Sequence, residues 1–405
     1  MHNFTFHNPT RIHFGKGQIQ AVANEIPAGE KVMLTYGGGS IKQNGVYDQT
    51  MKALAGREVV EFGGIEPNPE YETLMHAVEL GRQEDVGILL AVGGGSVLDG
   101  TKFIAAAIPF EGDPWDICRK SAPVAKAVPL GTVLTLPATG SEANPFAVIS
   151  RAETSEKLAF SSEHCYPKFA VLDPETTFSL PPRQVANGIV DAFVHTVEQY
   201  LTYPANAPLQ DRFAESILKT LIEVGPRTLA EPANYDDRAT FVWTATMALN
   251  GLIGAGVPQD WATHLIGHEL TALYGIDHAR TLAVVLPHLL RERAAQKREK
   301  LLQFAGRVWE VPSGPDDERI EAGIAAMERF FESLGVPTRL SSYGEAAADT
   351  PSLVASRLDG RGFNRIGERQ DVTPEAVERI LASSMAGSEE RRVGKECRSR
   401  WSPYH

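Results

Sequence analysis

From residue 31 to about 180 the chain alternates short apolar, β-rich runs with helical stretches, the order of parallel strands joined by crossover helices. The runs are KVMLTY before GGGS, VGILLAV before GGGSVLDG, AVPLGTVLTLP before ATGSE, and KFAVLDP before a proline pair. Each ends in small residues that let another group approach the backbone. From Pro181 onward the β-rich runs vanish, and LQDRFAESILKTLIEV, RATFVWTATMALNGLI and ERIEAGIAAMERFFESL carry apolar residues at helical spacing. The pattern predicts an α/β domain over residues 1–180 and a helical domain over 181–387. The divide is placed near Leu180, where Pro181 and Pro182 punctuate the chain.

A chain of 405 residues exceeds what one core usually serves, which agrees with two domains. Its 39 lysines and arginines against 51 acids leave a formal charge of -12, a surface that repels phosphate backbones and speaks against nucleic acid as a partner. Cys118, Cys165 and Cys397 match neither a zinc knuckle nor a disulfide framework, and a reducing cytoplasm fits. The N-terminus lacks a basic patch followed by an apolar core, and no run of about 18 apolar residues occurs, so neither secretion nor a membrane is expected. The last 18 residues, SEERRVGKECRSRWSPYH, break with the rest in charge and periodicity. They resemble the in-frame translation of a common sequencing adapter, so residues 388–405 are set apart as an artefactual or disordered tail.

Two glycine runs carry the first candidate chemistry. A buried-looking strand from Val86 leads into Gly93, Gly94, Gly95 and Ser96, and a helix is expected from about Val97. Amides at such a helix start, with the dipole behind them, suit a pyrophosphate, and glycines permit its close approach. The spacing differs from GxGxxG and no Walker lysine follows in register. The earlier run Gly37, Gly38, Gly39 and Ser40 ends a strand where enzymes that use NAD often hold an acid against the ribose 2'-hydroxyl. This loop contains no acid, and its amides and the Ser40 hydroxyl can donate to a 2'-phosphate, so NADP is expected rather than NAD.

Asp191 and His195 stand four apart in GIVDAFVHTVEQY, which puts both on one helical face. His264 and His268 repeat that spacing in WATHLIGHEL, and His278 follows ten residues on in the expected turn GIDHAR. An oxygen and nitrogen set without a thiolate suits iron(II) or zinc in an open catalytic site. Glu269 follows the second histidine rather than the first, so neither HExxH nor its inverted form is present, and a metallohydrolase becomes a distant rival.

The segments GGGSVLDGTK, ATGSE, DPETTFSLPPRQVANGIVDAFVHTVEQY and the HLIGHEL to DHARTLAVVLP pair resemble the iron-activated, group III metal-dependent alcohol dehydrogenases. Within that family the sequence is most similar to bacterial NADPH-dependent broad-range aldehyde reductases, also known as butanol dehydrogenases, over residues 1 to about 386. The resemblance implies an N-terminal dinucleotide-binding domain with a parallel sheet and an all-α metal-binding C-terminal domain, the dehydroquinate synthase-like fold. It implies metal ligands at Asp191, His195, His264 and His278, and a non-ligand His268 beside the nicotinamide as the candidate catalytic group in proton exchange. For NADP(H) it implies Gly37, Gly38 and Ser40 near the adenosine phosphate and Gly94, Gly95 and Ser96 at the pyrophosphate. Asp99, Thr135, Thr139, Asn144 and Lys157 would lie nearer the ribose and nicotinamide, with Asn68 touching the adenosine half.

The expected reaction is reversible, NADPH-dependent reduction of small aldehydes to alcohols, with one divalent ion, zinc or iron, as Lewis acid. Family habit implies a homodimer. A glycerol-dehydrogenase-like or dehydroquinate-synthase-like enzyme of the same fold is the nearest rival; a nucleotide-binding protein without catalysis is a further one.

Overall fold

The computed structural model describes residues 1–344 and 347–385, so the tail of residues 388–405 lies outside the described residues. In chain order come β1 (Arg11–Phe14), α1 (Val22–Glu25), β2 (Lys31–Tyr36), α2 (Val46–Ala53), β3 (Glu58–Phe62), α3 (Tyr71–Gln83), β4 (Ile88–Gly94) and α4 (Gly95–Ala107). There follow α5 (Trp115–Arg119), β5 (Leu130–Leu136), β6 (Phe146–Arg151), β7 (Glu156–Ser161) and β8 (Phe169–Leu172). Among the described residues the helices that follow are α6 (Pro182–Tyr200), α7 (Pro208–Ala230), α8 (Tyr235–Ala248), α9 (Ala262–Tyr274), α10 (His278–Glu292), α11 (Arg298–Arg307), α12 (Asp316–Ser333), α13 (Thr350–Gly360) and α14 (Pro374–Met385).

Six strands form one parallel sheet in the order β1-β8-β5-β4-β2-β3. Side chains alternate across it. Val32, Leu34, Ile88, Leu90 and Val92 join Ile19, Val22 and Val46 on one face, while Met33, Leu89 and Ala91 join Leu74, Leu98 and Phe103 on the other. Both faces are covered, which is why the central strands read as unbroken apolar runs instead of alternating ones. Burying each such leucine or isoleucine contributes roughly 1.5–3 kcal/mol.

The predicted strands all form, yet the pattern missed three features. The strands β1 and β3 are short, mixed in polarity and lie at the two edges of the sheet, where polar residues are tolerated. The third is an antiparallel hairpin, β6 with β7, set apart from the parallel sheet.

Strands give way to helices at Pro182. By compactness one unit comprises Met1–Tyr200 with Ala205–Val257, and the other Leu201–Pro204 with Pro258 onward. In the first unit α6, α7 and α8 pack on one another. In the second, α10 is central and packs against α9, α12 and α14, with its residues from Thr281 to Leu290 all buried. Among the described residues no helix is long and apolar enough to cross a membrane.

Candidate active site

Three neighbouring parallel strands, β2, β4 and β5, end side by side. Their ends are the segments Gly37–Ser40, Gly93–Ser96 and Thr135–Thr139, which therefore line one edge of the sheet. The chain leaves β2 toward β3 on one side and returns to β4 on the other, the reversal at which a crevice opens beyond strand ends. Helix α4 begins at Gly95, two residues earlier than Val97, and no side chain caps its first turn. Its leading amides are thus left for an outside acceptor. The glycines also serve packing: a Cβ on Gly94 would stand 2.8 Å from the Leu136 Cβ, and one on Gly95 2.7 Å from Thr139. A Cβ on Gly38 would meet nothing within 4 Å. An uncapped helix start beside an open glycine loop fits a bound dinucleotide phosphate.

Behind α4 lies a buried polar network that ties it to the segment after β5. Lys102 is fully buried, and its Nζ donates to Ser141 Oγ (2.8 Å), Asn144 Oδ1 (3.1 Å) and the Phe146 carbonyl (2.8 Å). Burial pushes this lysine down to about 8, opposed by the nearby Asp99. Asp99 accepts from Ser141 Oγ at 2.6 Å and from the Val148 amide at 2.9 Å. Asn144 Nδ2 donates to the Thr139 and Leu249 carbonyls. Asn68 adopts a positive φ of 59°; its amide donates to Ser96 Oγ at 3.3 Å and its Oδ1 accepts from Lys157 Nζ at 2.8 Å. Burial lowers Lys157 to about 8 as well, against the pull of Asp191 and Asp99. Sequence reasoning overlooked Lys102 and Ser141. The available signal was a lysine inside the apolar helix GTKFIAAA, which buries its charge only if something accepts all three protons.

At the Gly37–Ser40 loop the structure amends the reading of an acid-free strand end. Glu61, from the neighbouring β3, accepts from Tyr36 Oη at 3.0 Å, from Lys42 Nζ at 3.0 Å and from Tyr47 Oη. The loop itself holds no acid, but pairing of β2 with β3 brings one beside it.

Asp191 and His195 lie buried on α6, with His195 Nε2 3.6 Å from Asp191 Oδ1. Burial raises the Asp191 carboxyl above its ordinary range, partly offset by His195 and Lys157. Helix α6 comes close to the end of β5 at Gly188, where a Cβ would run into the Pro137 carbonyl oxygen. His264 and His268 lie on α9 with ring centroids 6.1 Å apart, and His278 stands 5.2 Å from the first and 5.1 Å from the second. His278 is the first residue of α10 instead of part of a turn. Gly267 explains the convergence: a Cβ there would be 2.9 Å from Thr281 Oγ1 and 3.1 Å from Leu282 on α10. Within the first unit Asp191 and His195 form a buried carboxylate–imidazole pair, and within the second His264, His268 and His278 bring three imidazoles together. A carboxylate with imidazoles and no thiolate fits iron(II) or zinc.

A parallel sheet with glycine-rich strand ends, in one chain with buried aspartate and histidine side chains of metal-ligating type, points to the class of metal- and dinucleotide-dependent oxidoreductases. Residues 9–174 match the family described as iron-containing alcohol dehydrogenase, and residues 185–385 match its C-terminal counterpart. The chain belongs to the iron-containing alcohol dehydrogenase family. It is 61% identical over 387 residues to the NADPH-dependent aldehyde reductase YqhD of Escherichia coli K12, covering 95% of this chain and 100% of that one. It is 42% identical to the probable NADH-dependent butanol dehydrogenase 1 of Bacillus subtilis, over 95% of this chain and 100% of the relative. The crystal structure of Escherichia coli K-12 YqhD superposes with a TM-score of 0.94 at 59% identity, covering 95% of this chain and 99% of that one.

Proposed function

We propose that this protein reduces small aldehydes to alcohols with NADPH, using one divalent ion, iron or zinc. The single observation that carries the reading is family membership over nearly the whole chain, with the NADPH-dependent aldehyde reductase as a 61% identical relative. In this reading, which follows the family resemblance, Asp191, His195, His264 and His278 hold the ion, and Gly94, Gly95 and Ser96 at the start of α4 receive the pyrophosphate. Gly37, Gly38 and Ser40 face the adenosine phosphate, with Asn68 alongside. Asp99, Thr135, Thr139, Asn144 and Lys157 bound the ribose and nicotinamide portion. When bound, the ion supplies Lewis acidity toward a carbonyl oxygen, and NADPH supplies hydride.

The chain's own part is to orient and to move a proton. The Lys102 and Asp99 side chains of α4 fix Ser141 and Asn144 relative to that helix, so the strand-end crevice is organised before a ligand arrives. His268 holds the proton that completes the alcohol. Cellular NADP pools are mostly reduced, which sets aldehyde reduction as the working direction. We further propose a homodimer located in the cytoplasm.

The test is NADPH oxidation with butanal by protein of measured metal content. Chelation should abolish turnover and iron(II) or zinc should restore it; turnover that persists without metal overturns the proposal. His264→Ala should lose both bound metal and activity, and retention of both removes this ligand assignment.

A further inference from the structure

We infer that Lys42 is a specificity-determining cation that selects dinucleotides carrying a 2'-phosphate. The inference rests on the NADPH reading above and adds the residue that distinguishes the two coenzymes.

Lys42 ends the short 3-10 turn Ser40–Lys42, its amide bonded to the Gly39 carbonyl at 3.0 Å, so its side chain rises from the loop that closes β2. The ammonium lies 4.8 Å from the centre of the Tyr36 ring and 4.7 Å from that of Tyr47, a cation held over two aromatic faces. Glu61 fastens it at 3.0 Å. Gly63 leaves room for this arrangement, since a Cβ there would overlap the Tyr36 ring.

The cage changes what each charge can do. Glu61 takes one donor each from Lys42, Tyr36 and Tyr47, so it is engaged on both oxygens and poorly placed to accept from a ribose hydroxyl. An ammonium carries three donors; Glu61 takes one and the Tyr36 hydroxyl a second, which leaves one for an outside acceptor. The side chain stays 44% exposed, next to a loop whose Gly38 position is open. A long, flexible lysine would ordinarily spread its charge over many rotamers, whereas here two rings and a carboxylate confine it. The result is a positioned point charge at a strand end that lacks its own acid, the arrangement that favours a phosphate dianion over a hydroxyl.

The experiment measures equilibrium binding of NADPH and NADH by nucleotide fluorescence to wild type, Lys42→Met and Lys42→Arg. Displacement by 2',5'-ADP and by 5'-AMP isolates the adenosine end. Lys42→Met should weaken NADPH and 2',5'-ADP by about tenfold, while NADH and 5'-AMP stay within about twofold. Lys42→Arg should recover most of the NADPH affinity because the charge is kept. Equal loss for both coenzymes would make the cage merely structural and overturn the inference, as would no change for either. Wild type that binds NADH as well as NADPH would defeat the coenzyme reading itself. A wild-type NADPH preference that survives in Lys42→Met would defeat only the role of Lys42.

Discussion

At the scale of one residue, the proposed ligand His264 and the proposed proton donor His268 differ little. His268 is buried, one helical turn from His264, and its ring is 5.1 Å from that of His278. Its neighbour Glu269 is clamped by Arg357 at 2.7 Å and by Arg361, which secures this turn of α9 to α13. His268→Ala should therefore keep the fold and the bound metal but lower kcat by about 100-fold, the scale of a lost proton donor. Metal analysis beside steady-state kinetics checks this; loss of the metal would reclassify His268 as a ligand.

Helices reach their positions through glycines and buried ion pairs. Gly267 lets α9 lie against α10, and Asp260 Oδ1 accepts from the Ala262 amide at 3.0 Å to start α9. Asp260 is itself held by Lys297 at 2.8 Å, and Lys297 is shared with Glu368. A methyl group at Gly267 must push Thr281 or Leu282 aside. Gly267→Ala is expected to cost about 1–3 kcal/mol by overpacking and to weaken metal binding, because His264 and His278 would separate. Calorimetric melting with and without added zinc reads both effects. A variant with wild-type Tm and metal affinity would show that α9 and α10 need no such closeness.

Lys102 carries a pH signature into the stability of the whole molecule. Its native-state value is pushed to about 8 from 10.5, so the unfolded chain binds more protons than the folded one between those values. Stability attributable to this group therefore rises with pH from about 8 toward 10.5, by at most ~1.4 kcal/mol per pH unit. Below pH 8 both states are protonated and the burial penalty is constant. In Lys102→Met the slope should vanish, so wild type should gain on the variant as pH rises through this window in chemical denaturation. Parallel curves for the two proteins would contradict it.

Local patterns were readable without coordinates because they depend on backbone period and burial. Apolar runs of strand length, helical spacing from Pro182 onward, and Asp191 with His195 on one helical face follow from residues a few positions apart. Family resemblance extended this to the proposed ligands and nucleotide contacts. Only tertiary structure decided features whose partners are distant in sequence. It opened α4 at Gly95, put His278 at the head of α10, buried Lys102 against Ser141 and Asn144, and set Glu61 beside a loop that contains no acid of its own. Strand pairing and side-chain packing across tens of residues make those contacts, and no local periodicity encodes which distant groups will meet.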